Sequence, residues 1–64
     1  MPYLLHIMDR VYGVTLFKRT HKHLQFAMMD IVPLCIIVGG TYAEITNEET
    51  KEIVVMSTVY TGAR

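Results

Sequence analysis

Two histidines one residue apart, His21 and His23, have the spacing in this chain that most resembles a metal-ligand pair. On an extended segment, residues two apart share a face, so both imidazoles could reach one ion. Zinc takes four protein ligands in a structural site, or three and a water in a catalytic one. His6, Cys35 and the carboxylates could complete such a set, but no second ligand pair has a recognisable spacing. The pattern favours two surface histidines, and we predict no bound metal and no cofactor.

A basic segment with aromatic neighbours occupies residues 17–23 and lies close to Phe26. Its three cations, Lys18, Arg19 and Lys22, could contact phosphates, and a base could stack on a phenylalanine. Three cations in a chain of zero net charge are only weak evidence for nucleic-acid binding. The segment nevertheless indicates an alternative function, a small oligomeric nucleic-acid-binding protein such as a viral or phage accessory protein.

Other candidate motifs lack the partners that their chemistry needs. Cys35 lies in an apolar run, and the nearest histidine in the sequence is His23. The glycine pair 39–40 is not followed by the Lys-Ser or Lys-Thr of a phosphate-binding loop. The acidic pair 48–49 falls in a predicted solvent-exposed turn, where it favours solubility over acid–base chemistry. We therefore predict no catalytic residue and a protein that is not an enzyme.

The first elements that must position these residues are two strands. Residues 3–8 and 14–17 are short apolar runs on either side of a turn that contains Gly13. Glycine can take the positive φ that such turns need, and the second run is rich in β-branched and aromatic residues. The pattern predicts a β-hairpin, with the polar residues 18–23 ending its second strand.

A helix is predicted from about residue 21, with Thr20 as its cap. Its apolar stripe consists of Leu24, Ala27, Met28 and Ile31, which recur at helical spacing. Pro33 lacks an amide hydrogen, so the helix is expected to stop or kink there. Residues 34–38 could continue the helix or form a short strand.

The last third predicts a second hairpin, with strands over residues 41–46 and 52–61 and a polar turn over 47–50. The resulting fold class is α+β. The order is β-β-α-β-β, an antiparallel sheet with one central helix, in a single domain that spans residues 1–64.

Alternation along residues 52–61 assigns Ile53, Val55 and Val59 to one face and Val54, Met56 and Tyr60 to the other. Both faces are apolar, so the helix covers one and a partner could cover the other. The expected core comprises Leu16, the helix stripe, and the first of the two faces, formed by Ile53, Val55 and Val59. Tyrosine and methionine offer large, adaptable contact areas. The expected contact surface consists of Tyr42, Val54, Met56 and Tyr60.

The elements in this order resemble small scaffold modules of the longin and roadblock type. Residues 5–19 resemble their opening hairpin, in which a strand ends in a polar turn and the next strand begins with a small residue followed by two apolar residues. Residues 24–38 and 41–61 resemble the elements that follow. The resemblance implies a non-catalytic scaffold that pairs through sheet edges or helices and serves trafficking or small-GTPase regulation. It assigns no functional residue.

Composition indicates a subunit of an assembly. Apolar residues make up 52% of only 64 residues, and the net charge is zero. A domain this small buries about 60% of the surface that its unfolded chain exposes, so much apolar surface stays outside. We expect a non-catalytic protein that self-associates, forming a homo-oligomer, or docks on a larger complex through an exposed apolar sheet face or edge.

The sequence also predicts where the protein resides. The longest apolar run, residues 31–40, is shorter than the ~20 residues that a bilayer span needs. No secretory signal is apparent, and a lone cysteine is typical of a reducing compartment. We therefore expect a cytoplasmic or otherwise intracellular protein with no membrane span.

Overall fold

The computed structural model describes residues 2–59, which form four strands and one helix. The elements are β1 (Tyr3–Asp9), β2 (Val14–His21), α1 (Leu24–Val38), β3 (Tyr42–Asn47) and β4 (Glu52–Thr58). The predicted α+β class and the order β-β-α-β-β are confirmed.

The strands form one antiparallel sheet in the order β2-β1-β3-β4. Alternation on the two central strands directs Leu5, Ile7, Ala43 and Ile45 to the helix side, where all four are fully buried. α1 packs over β1, β2 and β3. The core therefore lies between the helix and the centre of the sheet, and the opposite side of the sheet, here called the open face, carries no helix within residues 2–59.

The helix buries a stripe one turn apart, Ala27, Ile31 and Cys35. Met28, predicted to belong to this stripe, is half exposed. The cap assigned to Thr20 is also wrong, because β2 continues through the polar residues to His21 and the N-cap is His23, without a side-chain cap hydrogen bond.

Pro33 neither ends the helix nor separates residues 34–38 from it. Its missing N–H removes one hydrogen bond, to the carbonyl of Met29, on a side of the helix that faces away from the sheet. α1 ends instead at Val38, and its C-cap is Gly39, whose φ of 75° is the left-handed conformation that glycine adopts most easily. The 39–40 pair thus follows the end of the helix as a turn, and it has no phosphate-loop sequence.

Two β-bulges change the faces assigned by simple alternation. Ile45 pairs with Val55 but Thr46 pairs with Ile53, so Val54 is an extra residue in β4. Ile53 consequently lies opposite a residue of the open face, and half of its surface is exposed. The prediction that it belongs to the core is wrong, whereas Val59 is buried and Val55 packs against the core as expected.

The second bulge lies in β2. Ile7 pairs with Phe17 and Met8 with Thr15, which leaves Leu16 as the extra residue. Leu16 is 38% exposed and is absent from the core cluster of the described residues, so its assignment to the core is also wrong. The aromatic ring of Phe17 packs against the core instead.

Candidate interaction surface

The helix exposes a broad row of large apolar side chains that covers the side facing away from the sheet and both flanks of that side. We call this row the outer helix surface; it consists of Phe26, Met28, Met29, Val32, Ile36 and Ile37. The 15 residues of α1 include a single charged residue, Asp30. A helix that is apolar on every side is normally covered all round. Within residues 2–59, the sheet covers one side of α1 and nothing covers the other.

Helical geometry explains why both sides of α1 are apolar. The buried stripe repeats every four residues, whereas Met29, Val32 and Ile36, spaced by three and four, fall on the opposite side. Gln25 precedes this row and is exposed with it. The outward row therefore has the spacing with which one helix packs against another.

The outer helix surface is larger than the apolar patches that typical monomeric proteins expose. The six side chains are 48–74% exposed. With about 200 Å² for a fully exposed large apolar residue, they present roughly 700 Å² to solvent. The largest apolar patch on a typical monomer is about 300–600 Å².

The contact residues predicted from sequence lie elsewhere. Tyr42 is half-buried on the open face, where its hydroxyl donates a hydrogen bond of 3.0 Å to Glu44 Oε2. Val54 and Met56 are exposed on β4. Tyr60 lies outside the described residues. Tyr42 and Met56 lie on the open face, across the sheet from α1, so they do not converge with the outer helix surface.

The environment of Tyr42 shifts its hydroxyl away from ionisation. Desolvation raises the pKa of Tyr42, and the hydrogen bond to Glu44 and the charge of Glu44 raise it further. Arg10, whose guanidinium carbon lies 5.2 Å from the centre of the ring, lowers the pKa and only partly offsets this. Tyr42 is therefore neutral at physiological pH and offers a phenol bound to a carboxylate, not a free apolar surface.

The three cations of the basic segment diverge. Lys18 pairs with His6 on the open face, whereas Arg19 pairs with Leu5 on the helix side. The guanidinium of Arg19 lies 3.4 Å from Asp30 Oδ2 and 5.7 Å from the ring centre of Phe17. Lys22 follows the end of β2 and is exposed. A single phosphate backbone would have to pass around the sheet edge to contact all three.

Because these cations diverge, we expect the purified protein to bind nucleic acid only weakly. A fluorescent mixed-sequence 20-mer, single- or double-stranded, should show no anisotropy change with 10 μM protein at 150 mM salt. Tight binding whose affinity falls steeply with salt, and which is lost in Lys18→Glu and Lys22→Glu, would contradict this expectation and favour the nucleic-acid alternative.

The two histidines of the candidate metal pair have different surroundings. His21 Nε2 lies 3.0 Å from Asp30 Oδ2, within ion-pair distance but without the alignment of a hydrogen bond. His23 lies at the start of α1, with its ring edge-on to Phe26 at 5.7 Å. Both line a shallow depression of about 440 Å³ with Pro2. In residues 2–59, no three His, Cys, Asp or Glu side chains form a group that could hold a metal.

Comparisons with known proteins add no relative. The chain matches no protein-family model, no curated protein and no solved structure. The helix that residues 2–59 form is not long and apolar enough to cross a membrane.

The lone cysteine is part of the core. Cys35 is fully buried on the sheet side of α1, as expected of a small hydrophobic residue. Burial raises the pKa of the Cys35 thiol above its ordinary value of 9.0, which disfavours the reactive thiolate. Deprotonation at alkaline pH favours the unfolded chain, so this contribution to stability is complete below pH 9.0 and is lost as the pH rises above it.

Sequence reasoning missed the outer helix surface although the signal was present. The stretch 24–38 has one charged residue, and its apolar side chains occupy every side of a helix. The expectation of a break at Pro33 hid this, because it divided a 15-residue apolar helix into two short pieces.

Proposed function

We propose that this chain is a non-catalytic interaction subunit that self-associates or docks on a larger complex through the outer helix surface. The supporting observation is the uncharged row of six large apolar side chains on the side of α1 that faces away from the sheet and on both flanks of that side. Leaving roughly 700 Å² of such surface in water is costly, and a protein partner that covers it recovers that free energy.

The sheet edges and the open face are weaker candidates for this contact. Both edge strands, β2 and β4, contain a bulge that interrupts the row of free backbone groups to which another strand would pair. The open face mixes apolar side chains with His6, Lys18 and Glu44. Burying those charged and polar groups would need matched partners, which the outer helix surface does not.

The resemblance of residues 5–19 to longin and roadblock modules supports a scaffold role and stays a prediction. Members of those families are non-catalytic and act by pairing. An intracellular, cytoplasmic location fits this proposal, since a buried thiol at Cys35 does not depend on an oxidising compartment.

A pair of lysine substitutions at matched exposure tests the proposed function in an extract of the source cells. Met29 on the helix is 68% exposed and Met56 on the open face is 67% exposed, so neither Met29→Lys nor Met56→Lys should disturb the fold. We expect the native chain and Met56→Lys to migrate in an assembly on size-exclusion chromatography, and Met29→Lys to migrate at 7.3 kDa.

Two outcomes would overturn the proposal. If all three proteins migrate as free monomers in the extract, the chain is not a subunit. If Met56→Lys releases the chain and Met29→Lys does not, the contact is made by the open face of the sheet and not by the helix.

A further inference from the structure

We infer that the outer helix surface is covered by the same surface of a second copy of this chain, with the two α1 helices packed antiparallel about a two-fold axis. The inference rests on the proposed function and names the partner. Three properties of the described residues carry it: the area of the surface, the charges at the helix ends, and the position of the outward row along the helix.

The exposed apolar area is of the size that one partner contributes to a stable dimer. Each copy presents roughly 700 Å² on six side chains, close to the ~800 Å² per partner of a standard protein–protein interface. The surface is nearly free of charge, so a self-complementary contact brings no like charges together. α1 is about 22 Å long, which is enough for two helices to remain in contact over four turns.

The charges at the helix ends favour the antiparallel arrangement. α1 has no acidic residue in its first turn and no basic residue in its last turn, so the partial charges of the helix dipole lack complementary side chains at both ends. The positive end has the exposed cation Lys22 beside it. Antiparallel packing places this cation of each copy near the negative C-terminal end of the other, and parallel packing would bring the two cations together.

Position along the helix makes the arrangement testable residue by residue. Gln25 and Val32 lie two turns apart and project to the same side of α1. Val32 lies one residue from the midpoint of the helix, so in an antiparallel pair it lies beside its own copy. Gln25 lies six residues from the midpoint, which separates it from its copy by about 18 Å along the axis.

Sedimentation of the purified chain tests the dimer itself. We expect the native protein to be dimeric at tens of micromolar. Met29→Lys and Ile36→Lys should each raise the dissociation constant about tenfold or more, because each places an unpaired charge within the apolar contact. Met56→Lys, matched to Met29→Lys in exposure, should leave it unchanged. Circular dichroism confirms that each variant is folded.

Cysteine substitutions at the two marker positions test the orientation. Under mild oxidation we expect Val32→Cys to form a disulfide-linked dimer, and Gln25→Cys and the native chain, whose Cys35 is buried, to form none. Equal cross-linking of Gln25→Cys would indicate parallel helices and overturn the inference.

The remaining outcomes also decide the matter. A dimer that withstands both lysine substitutions on the helix overturns the inference. So does a monomeric purified protein, whether it stays free or floats with phosphatidylcholine vesicles, which would place lipid on the helix. If that monomer still enters a Met29-dependent assembly in cell extract, the proposed function stands and the partner is a different protein.

Discussion

Replacing Ile45 with alanine is expected to lower the free energy of unfolding by about 2–5 kcal/mol. Ile45 is fully buried on the central strand β3, between the neighbouring strands and the helix. The substitution removes its contacts and leaves a cavity in a core of only eight buried apolar residues in the described chain. A 64-residue domain has a total free energy of unfolding of about 3–10 kcal/mol, so the substitution should remove a large fraction of it.

Ile53→Ala is the matched control for Ile45→Ala. The bulge at Val54 moves Ile53 to the open face, so its truncation should cost less than about 1 kcal/mol. Urea denaturation at one fixed protein concentration gives both values. Equal losses at the two positions would mean that β4 has no bulge and that Ile53 belongs to the core, as alternation alone indicates.

Gly40→Ala is expected to destabilise the fold by about 1–3 kcal/mol. A Cβ at Gly40 would collide with Cγ2 of Ile7 and would lie 3.5 Å from the carbonyl oxygen of Met8 and 3.6 Å from Cγ2 of Val38. Ile7 is fully buried on a central strand, so its methyl group cannot move away without disturbing the core. The close approach of the α1–β3 connection to β1 therefore requires glycine.

A double variant separates this collision from any general effect of alanine. Leucine has no methyl group on Cβ, so Ile7→Leu removes the atom that collides and costs less than about 1.5 kcal/mol by itself. In the Ile7→Leu background, Gly40→Ala should cost distinctly less than in the native chain. Additive losses, or a fully stable Gly40→Ala, would contradict the packing of Gly40 against β1. Thermal or urea unfolding provides the measurement.

Local patterns were sufficient to predict the order of the elements. Runs of apolar residues around Gly13 and around the polar turn 47–50 identify both hairpins, and their turns are closed by local hydrogen bonds. Asp9 Oδ1 accepts from the amide of Val11, and Asn47 Oδ1 accepts from that of Glu49. These interactions join residues close in sequence, which is why sequence alone reveals them.

The bulges and the end of β2 could not be predicted in the same way. An extra residue at Leu16 or Val54 leaves no mark in the sequence, because a bulge depends on how two strands pair. β2 extends through a polar segment because Arg19 and His21 lie on the helix side, where both contact Asp30. These two contacts join residues 11 and 9 positions apart in two different elements, so local sequence propensities do not reveal them.

The excess of exposed apolar surface was predicted from the sequence, but its largest concentration, on α1, was not. Composition indicated excess apolar area, and the structure has it. The position depends on which side of α1 meets the sheet, and the buried stripe through Ala27, Ile31 and Cys35 decides this only once the helix is known to pass Pro33. The predicted contact residues on β4 remain exposed, but Tyr42 is engaged with Glu44.

The proline within α1 has a consequence for the way the chain folds. The helix lacks one internal hydrogen bond, its ends lack complementary charges, and five of its 15 residues are valine or isoleucine, which are mediocre helix formers. A helix of this length is marginal in water even with a favourable sequence. α1 therefore has little tendency to form before the sheet exists. The sheet against which α1 packs requires β3 to pair with β1, which joins residues up to 44 positions apart in the sequence. We therefore expect a newly synthesised chain to carry its most apolar segment without stable helical structure until residues 42–47 have been made.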